Sequence, residues 1–441
     1  MRHVRLFATG VIVLAGVLSL PLLAHAAAAS PNFDVNAATR AWLDTLQGPA
    51  RAKSDAYFTG GYWIALWGTL VGVLVDWLAL GFRLSAAFRN LGQRLSKRRF
   101  IVTAVTAACY IAWGIVIALP WTIYASFVRE KQYGLMNLGF AGWLGEQAIS
   151  WALALVFGTL AITIIYVVIR RFPRNWWIAG TGVIAAFMAF GMLVGPVYIA
   201  PLFNHYTELP QGPVRDRIVA MAKANHVPAQ HIYVFDASKQ SKRISANVSG
   251  IGPTIRISLN DNLLNRSTPQ EIAAVMGHEL GHYVLGHVWR NMIFLTLIFG
   301  GVLFLTARIA PAMISRWGDR WNVRDVADPA SLPVLGICAG VLFYLATPLT
   351  NTLIRIDESE ADAFGLNAAR EPDGFASVAM KLSEYRKIEP SALEEMLFYD
   401  HPSGATRVRM AMQWKKDHVK NAQMVVPPPM PQDFGDRAGG D

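Results

Sequence analysis

The chain has 441 residues, 53% of them hydrophobic and only 16% charged, with a mean hydropathy of +0.32 and a formal net charge of +10. That is too apolar for an ordinary soluble enzyme and calls for several bilayer-spanning helices. The two cysteines, Cys109 and Cys338, lie in apolar runs and exclude a disulfide framework. The basic excess sits in short connections, without the folded polar surface and aromatic platforms that a nucleic-acid site needs.

In chain order, residues 1–26 place Arg2, His3 and Arg5 before an apolar run from Leu6 to Leu23 that ends in Ala24-His25-Ala26. That is a secretory signal pattern or, if uncleaved, a signal-anchor span. A polar, mildly helical segment at 27–60 is expected to lie at the outer membrane surface. Apolar stretches at about 61–82, 101–127, 147–169 and 176–203 predict a four-span region over 61–203, and Trp63, Trp67, Trp121, Tyr124, Trp176 and Trp177 mark the span ends. Residues 204–290 read as a catalytic portion. His231–Asp236 and Thr254–Leu259 are predicted strands, and Ser249–Pro253 is a predicted turn.

Ser267-Thr268-Pro269-Gln270-Glu271 then opens a helix with a hydroxyl cap, an early proline and an acid at its positive end. This helix carries His278-Glu279-Leu280-Gly281-His282, the H-E-x-x-H pattern. At 3.6 residues per turn both imidazoles share one face and reach one ion, with Glu279 beside the open coordination position as the general base. His287, five residues beyond His282, is expected to point off that face and to be structural.

Two further spans at about 291–310 and 331–350 form a hairpin over 291–350. A C-terminal helical portion follows over 351–423. There the acidic stretch Asp357-Glu358-Ser359-Glu360-Ala361-Asp362 offers Glu358 as third metal ligand. Asp362, on the same helical face, is expected to accept the second N–H of a ligating histidine. Asp357 and Glu360 are expected to face elsewhere, and a solvated acidic helix is the alternative. The tail, 424–441, has no apolar period and is expected to be disordered.

The chain resembles the type 1 CAAX prenyl proteases, integral-membrane zinc metalloendopeptidases. The resemblance rests on H-E-L-G-H-x-x-L-G-H from His278 to His287 and on N-x-x-x-R-x-x-E-x-x-x-D from Asn351 to Asp362. Leu119-Pro120-Trp121, Phe127–Gly134 and Tyr198–Asn204 are also similar to the family. It implies one Zn2+ per chain on His278, His282 and Glu358, with Glu279 as base and Asp362, Arg355 and Asn351 supporting the ligands. It implies too that His401 or Arg407, in an H-P-x-x-x-x-R segment, donates to the oxyanion. The alternative there is a helix-capping His-Pro turn with a surface arginine. Arg355 is expected to pair with a buried carboxylate. The family's substrate-facing Asn-Ala pair reads Asn247-Val248 here, so Asn247 is either a peptide donor or a satisfied loop residue.

Basic connections at Arg83–Arg99, Arg170–Arg174 and Arg316–Arg324 belong inside by the positive-inside rule. Alternating crossings then put 204–290 and 351–441 outside, so the zinc site faces the periplasm of a bacterial inner membrane. The fold expected is mainly α, a polytopic membrane protein with a small α/β zincin-like catalytic portion. Its expected partners are a peptide or protein substrate, free or lipid-associated, and the bilayer. The rival readings are a transporter or channel, which would carry ionisable residues within its spans where Asp76 is nearly alone, and an inactive scaffold, which would lack a ligand or the base.

Overall fold

The computed structural model describes residues 29–228, 231–250 and 255–430. The expected signal or anchor at 1–26, most of the 249–253 turn and the tail from 431 lie outside them. The N-terminal part begins with α1 (Val35–Leu43), whose first N–H groups are capped by the Asp34 carboxylate. Six long apolar helices follow along the chain: α2 (Gly48–Gly81), α4 (Arg99–Gln132), α5 (Phe140–Arg171), α6 (Trp176–Leu202), α10 (His287–Trp321) and α11, which runs from Leu332 to Ala369. A short amphipathic α3 (Leu84–Leu95) joins the first two.

All six expected spans are present, but the helices outrun the apolar windows. α2 starts at Gly48 rather than near 61. Its first turns are polar and continue past the bilayer, where a hydropathy window no longer registers a helix. The segment 29–47 does not lie apart on the membrane surface. Phe33, Val35, Trp42 and Leu46 are buried in one cluster with Phe375, Met380, Val408 and Trp414 of the C-terminal portion. Residues 422–430 carry no helix or strand, yet Met430 donates its N–H to the Thr45 carbonyl at 2.9 Å.

The catalytic portion between α6 and α10 is a four-stranded sheet, β1 (Tyr206–Glu208), β2 (Ile232–Phe235), β3 (Ala246–Ser249) and β4 (Arg256–Asn260), in the order β1-β2-β4-β3. β2 and β4 run parallel, while β1 and β3 are antiparallel edge strands. α7 (Pro213–Ala224) and α8 (Asp261–Arg266) flank it, and α9 (Pro269–Val284) packs beneath. Ile257 and Leu259 from the sheet meet Ile272, Met276 and Leu280 from α9 in one buried apolar cluster. After α11 come α12 (Pro372–Leu382), α13 (Ala392–Phe398) and α14 (Gly404–His418).

Candidate active site

Thr268 is the N-cap of α9, Pro269 its first residue and Glu271 its third, closing a reciprocal capping box: Thr268 N–H donates to Glu271 Oε2 at 2.7 Å and Glu271 N–H to Thr268 Oγ1 at 3.3 Å. The start is fixed further by Lys381 on Glu271 Oε2, also at 2.7 Å. From this anchored end the helix delivers His278 and His282 one turn apart, with their Nε2 atoms separated by 3.1 Å.

α11 brings the third group. Glu358 Oε2 lies 3.2 Å from His278 Nε2, and Glu358 Oε1 lies 3.5 Å from His282 Nε2. One donor atom from each of the three residues falls within 4.8 Å of the others. Glycine makes the approach possible: a Cβ on Gly365 would sit 2.7 Å from the His278 nitrogen, and one on Gly277 would sit 2.9 Å from the Gly365 carbonyl oxygen. Glu358 Oε2 is buried with no hydrogen-bond partner, a costly state for a carboxylate unless a cation completes it. Two imidazole nitrogens and this orphaned oxygen therefore fit a divalent metal with nitrogen and oxygen ligands.

His278 Nδ1 is 2.8 Å from Asp362 Oδ1. Asp362 is fully buried, and Arg407 grips it with Nε at 2.9 Å and Nη2 at 2.5 Å. Burial disfavours a charged His278, but the hydrogen bond to Asp362 and the adjacent Glu358 carboxylate outweigh it and lift the imidazole to about 10. His282 is pushed down to about 4 by burial and by the neighbouring His278. Glu279 lines a cavity of about 270 Å³ with His278, His401, Arg407 and Tyr385, and burial raises its carboxyl to about 7.

His401 does reach the site: its Nε2 is 3.2 Å from Glu358 Oε2, and its Nδ1 is 2.8 Å from Asp400 Oδ1. Arg407 is buried rather than a surface side chain. Among the described residues Arg355 has no carboxylate partner; it donates to the backbone carbonyl oxygens of Glu395 at 2.8 Å and Tyr399 at 2.5 Å, while Asn351 donates to that of Leu397 at 3.0 Å. Both residues thus tie α11 to the stretch that ends in His401. Asn247 lies on edge strand β3 opposite Ser258. Ala246 and Val248 pack toward α9, so alternation turns the Asn247 side chain to the other face of the strand.

Sequence reasoning missed the environment of His282. α9 ends before Gly286, whose φ of +69° reverses the chain. His287 consequently folds back instead of pointing away, placing its Nδ1 2.9 Å from His282 Nδ1. Its Nε2 is 3.2 Å from Glu360 Oε2, and Arg290 contacts both Glu360 and Asp357. The glycine in Leu285-Gly286-His287 was the available signal, since a left-handed glycine commonly closes a helix.

A His-His-Glu triad on two helices that fits a divalent metal, an acid beside it and six helices long enough to cross a bilayer define a membrane metalloprotease. The model of peptidase family M48 matches residues 208–415, and "CAAX prenyl protease N-terminal, five membrane helices" matches residues 40–205. Among the described residues, four of the spans fall in the latter match. The chain is 26% identical to a protein of Bacillus subtilis described as an uncharacterized metalloprotease, over 77% of this chain and 81% of that protein. It is also 26% identical to CAAX prenyl protease 1 of Saccharomyces cerevisiae, over 73% of this chain and 75% of the yeast protein. The crystal structure of S. mikatae Ste24p shares the fold, with a TM-score of 0.70 at 21% identity, over 86% of this chain and 95% of that one.

Proposed function

We propose that this protein is a zinc endopeptidase with one ion per chain, held by His278, His282 and Glu358. The observation that carries the reading is the convergence of two Nε2 atoms on a buried, otherwise unpartnered Glu358 oxygen. When bound, zinc supplies Lewis-acid polarisation and a water of lowered pKa. Glu279 accepts the proton of the attacking water and passes it to the leaving amine. Its carboxyl, raised to about 7 by burial, is matched to proton exchange near neutral pH. Asp362 holds the Nδ1–H of His278 and so leaves Nε2 as the ligand nitrogen, while Arg407 holds Asp362 in turn.

Because Arg407 is committed to Asp362, His401 is the better donor to the oxyanion. Asn351 and Arg355 keep the His401 segment in place. Ser245 and Ala246 line the cleft at the start of edge strand β3, so an extended substrate adds to that edge mainly through its backbone. Asn247 then serves through its main chain.

The yeast relative's name refers to CAAX prenyl substrates. For this chain we infer processing or quality-control cleavage of membrane-associated proteins, in a bacterial inner membrane, with the site facing the periplasm. The distribution of basic connections supports that placement. A transporter is not favoured: the acid within the spans, Asp76, is buried against the Tyr110 hydroxyl. Casein cleavage by the purified protein tests the reading. Glu279→Gln is expected to lower the rate by about 100-fold or more, and an undiminished rate would remove Glu279 from the chemistry.

A further inference from the structure

On the side of the bundle away from the active site, the three basic connections close around a cavity of about 530 Å³. Lys97 and Arg99 line it at the start of α4, Arg170 at the end of α5, and Arg324, Asp325 and Asp328 in the turn between α10 and α11. Arg324 is matched by Asp328, which also holds Arg89. Among the described residues, Lys97, Arg99 and Arg170 form no ion pair. Arg170 is half-buried and donates to Thr103 Oγ1 at 2.9 Å, not to a carboxylate. Three cations gathered at one cup repel each other, and the exposed Asp325 offsets only part of that. The α4 N-terminus at the same cup has no side-chain cap, so unpaired N–H groups and the positive end of the helix dipole add to the field.

The cup also lies at a membrane boundary, since α4 begins and α5 ends there. Exposed Phe100 and Ile101 on the first turn of α4, and Phe172 just past α5, provide an apolar flank. A free phosphate has no use for that flank, whereas a phosphodiester carrying acyl chains uses both halves.

We propose that this cavity binds the phosphate headgroup of one anionic phospholipid, with its acyl chains lying along the exposed apolar side chains of α4. Lys97, Arg99 and Arg170 provide the charge, and the ligand relieves their mutual repulsion at the basic ends of α4 and α5.

The full chain, delipidated in neutral detergent, is titrated with phosphatidylglycerol or phosphatidylcholine and followed by native mass spectrometry, with inorganic phosphate as competitor. Phosphatidylglycerol is expected to saturate at one molecule per chain, well below the concentration at which phosphatidylcholine binds. Arg99→Gln with Arg170→Gln is expected to weaken that binding by about tenfold or more, while Arg94→Gln with Arg174→Gln, outside the cavity, leaves it unchanged. Retained casein cleavage checks the fold of the double variant, and Lys97→Gln, at an exposed position, reads the same site if that variant fails the check. Equal binding of the two lipids, or wild-type affinity in both cavity variants, would overturn the proposal. Displacement of the lipid by inorganic phosphate at comparable concentration would overturn it too, by assigning the cup to a free anion.

Discussion

At His282, a chain of side chains decides which ring nitrogen is free. With the proton on His282 Nδ1, His287 accepts it at 2.9 Å and passes its own Nε2–H toward Glu360 at 3.2 Å, leaving His282 Nε2 bare on the side of His278 and Glu358. Partners of this kind orient a ligand and raise its basicity, and their loss typically costs about 10- to 100-fold in metal affinity. His287→Phe is therefore expected to lose zinc to a chelator within that range while retaining its helical circular dichroism; retention equal to wild type would remove His287 from ligand support. His278, Glu279 and His282 were legible in the sequence because five contiguous residues on one helix fix their mutual geometry. Glu358 was legible because its partner acid Asp362 sits one turn away on the same face. The roles of Arg355 and His287 were not, because each depends on where a loop returns: Arg355 on the carbonyls of residues 395 and 399, and His287 on the reversal at Gly286.

Between elements, the contact that builds the site is α9 against α11. Gly277 and Gly281 on one helix face Gly365, Ala361 and Phe364 on the other, close enough that added side-chain atoms would meet backbone. Gly365→Val is expected to push α11 outward, carrying Glu358 and Asp362 away from the histidines and abolishing both zinc retention and casein cleavage. Gly301→Ala on α10, where an added Cβ meets nothing within 4 Å, should change neither. A zinc-replete, active Gly365→Val protein would show that the close approach is unnecessary. The glycines are visible in the sequence, but the helix they face is not, since 84 positions and a helical hairpin separate His278 from Asp362. The same limit hid the docking of α1: its segment read as polar and mildly helical, and only the assembled C-terminal portion shows what its apolar residues cover.

Across the whole molecule, spanning helices of 27 to 38 residues are about 40 to 60 Å long, against about 30 Å of hydrocarbon. The excess carries α2, α4 and α11 out of the membrane into the catalytic portion, where Glu130 near the end of α4 meets Arg243 at 2.6 Å. In α11 one continuous helix joins a span to Glu358 and Asp362. With the basic connections inside, a reporter active only in the periplasm is expected to be active when fused after Lys420, and an active cytoplasmic reporter there would invert the topology. If two segments separated by a membrane hairpin grip one ion, metal content reports it. Purified wild type and Glu279→Gln are each expected to hold one zinc per chain, whereas Glu358→Ala, folded by circular dichroism, should hold almost none. A folded Glu358→Ala protein with a full complement of zinc would contradict the account.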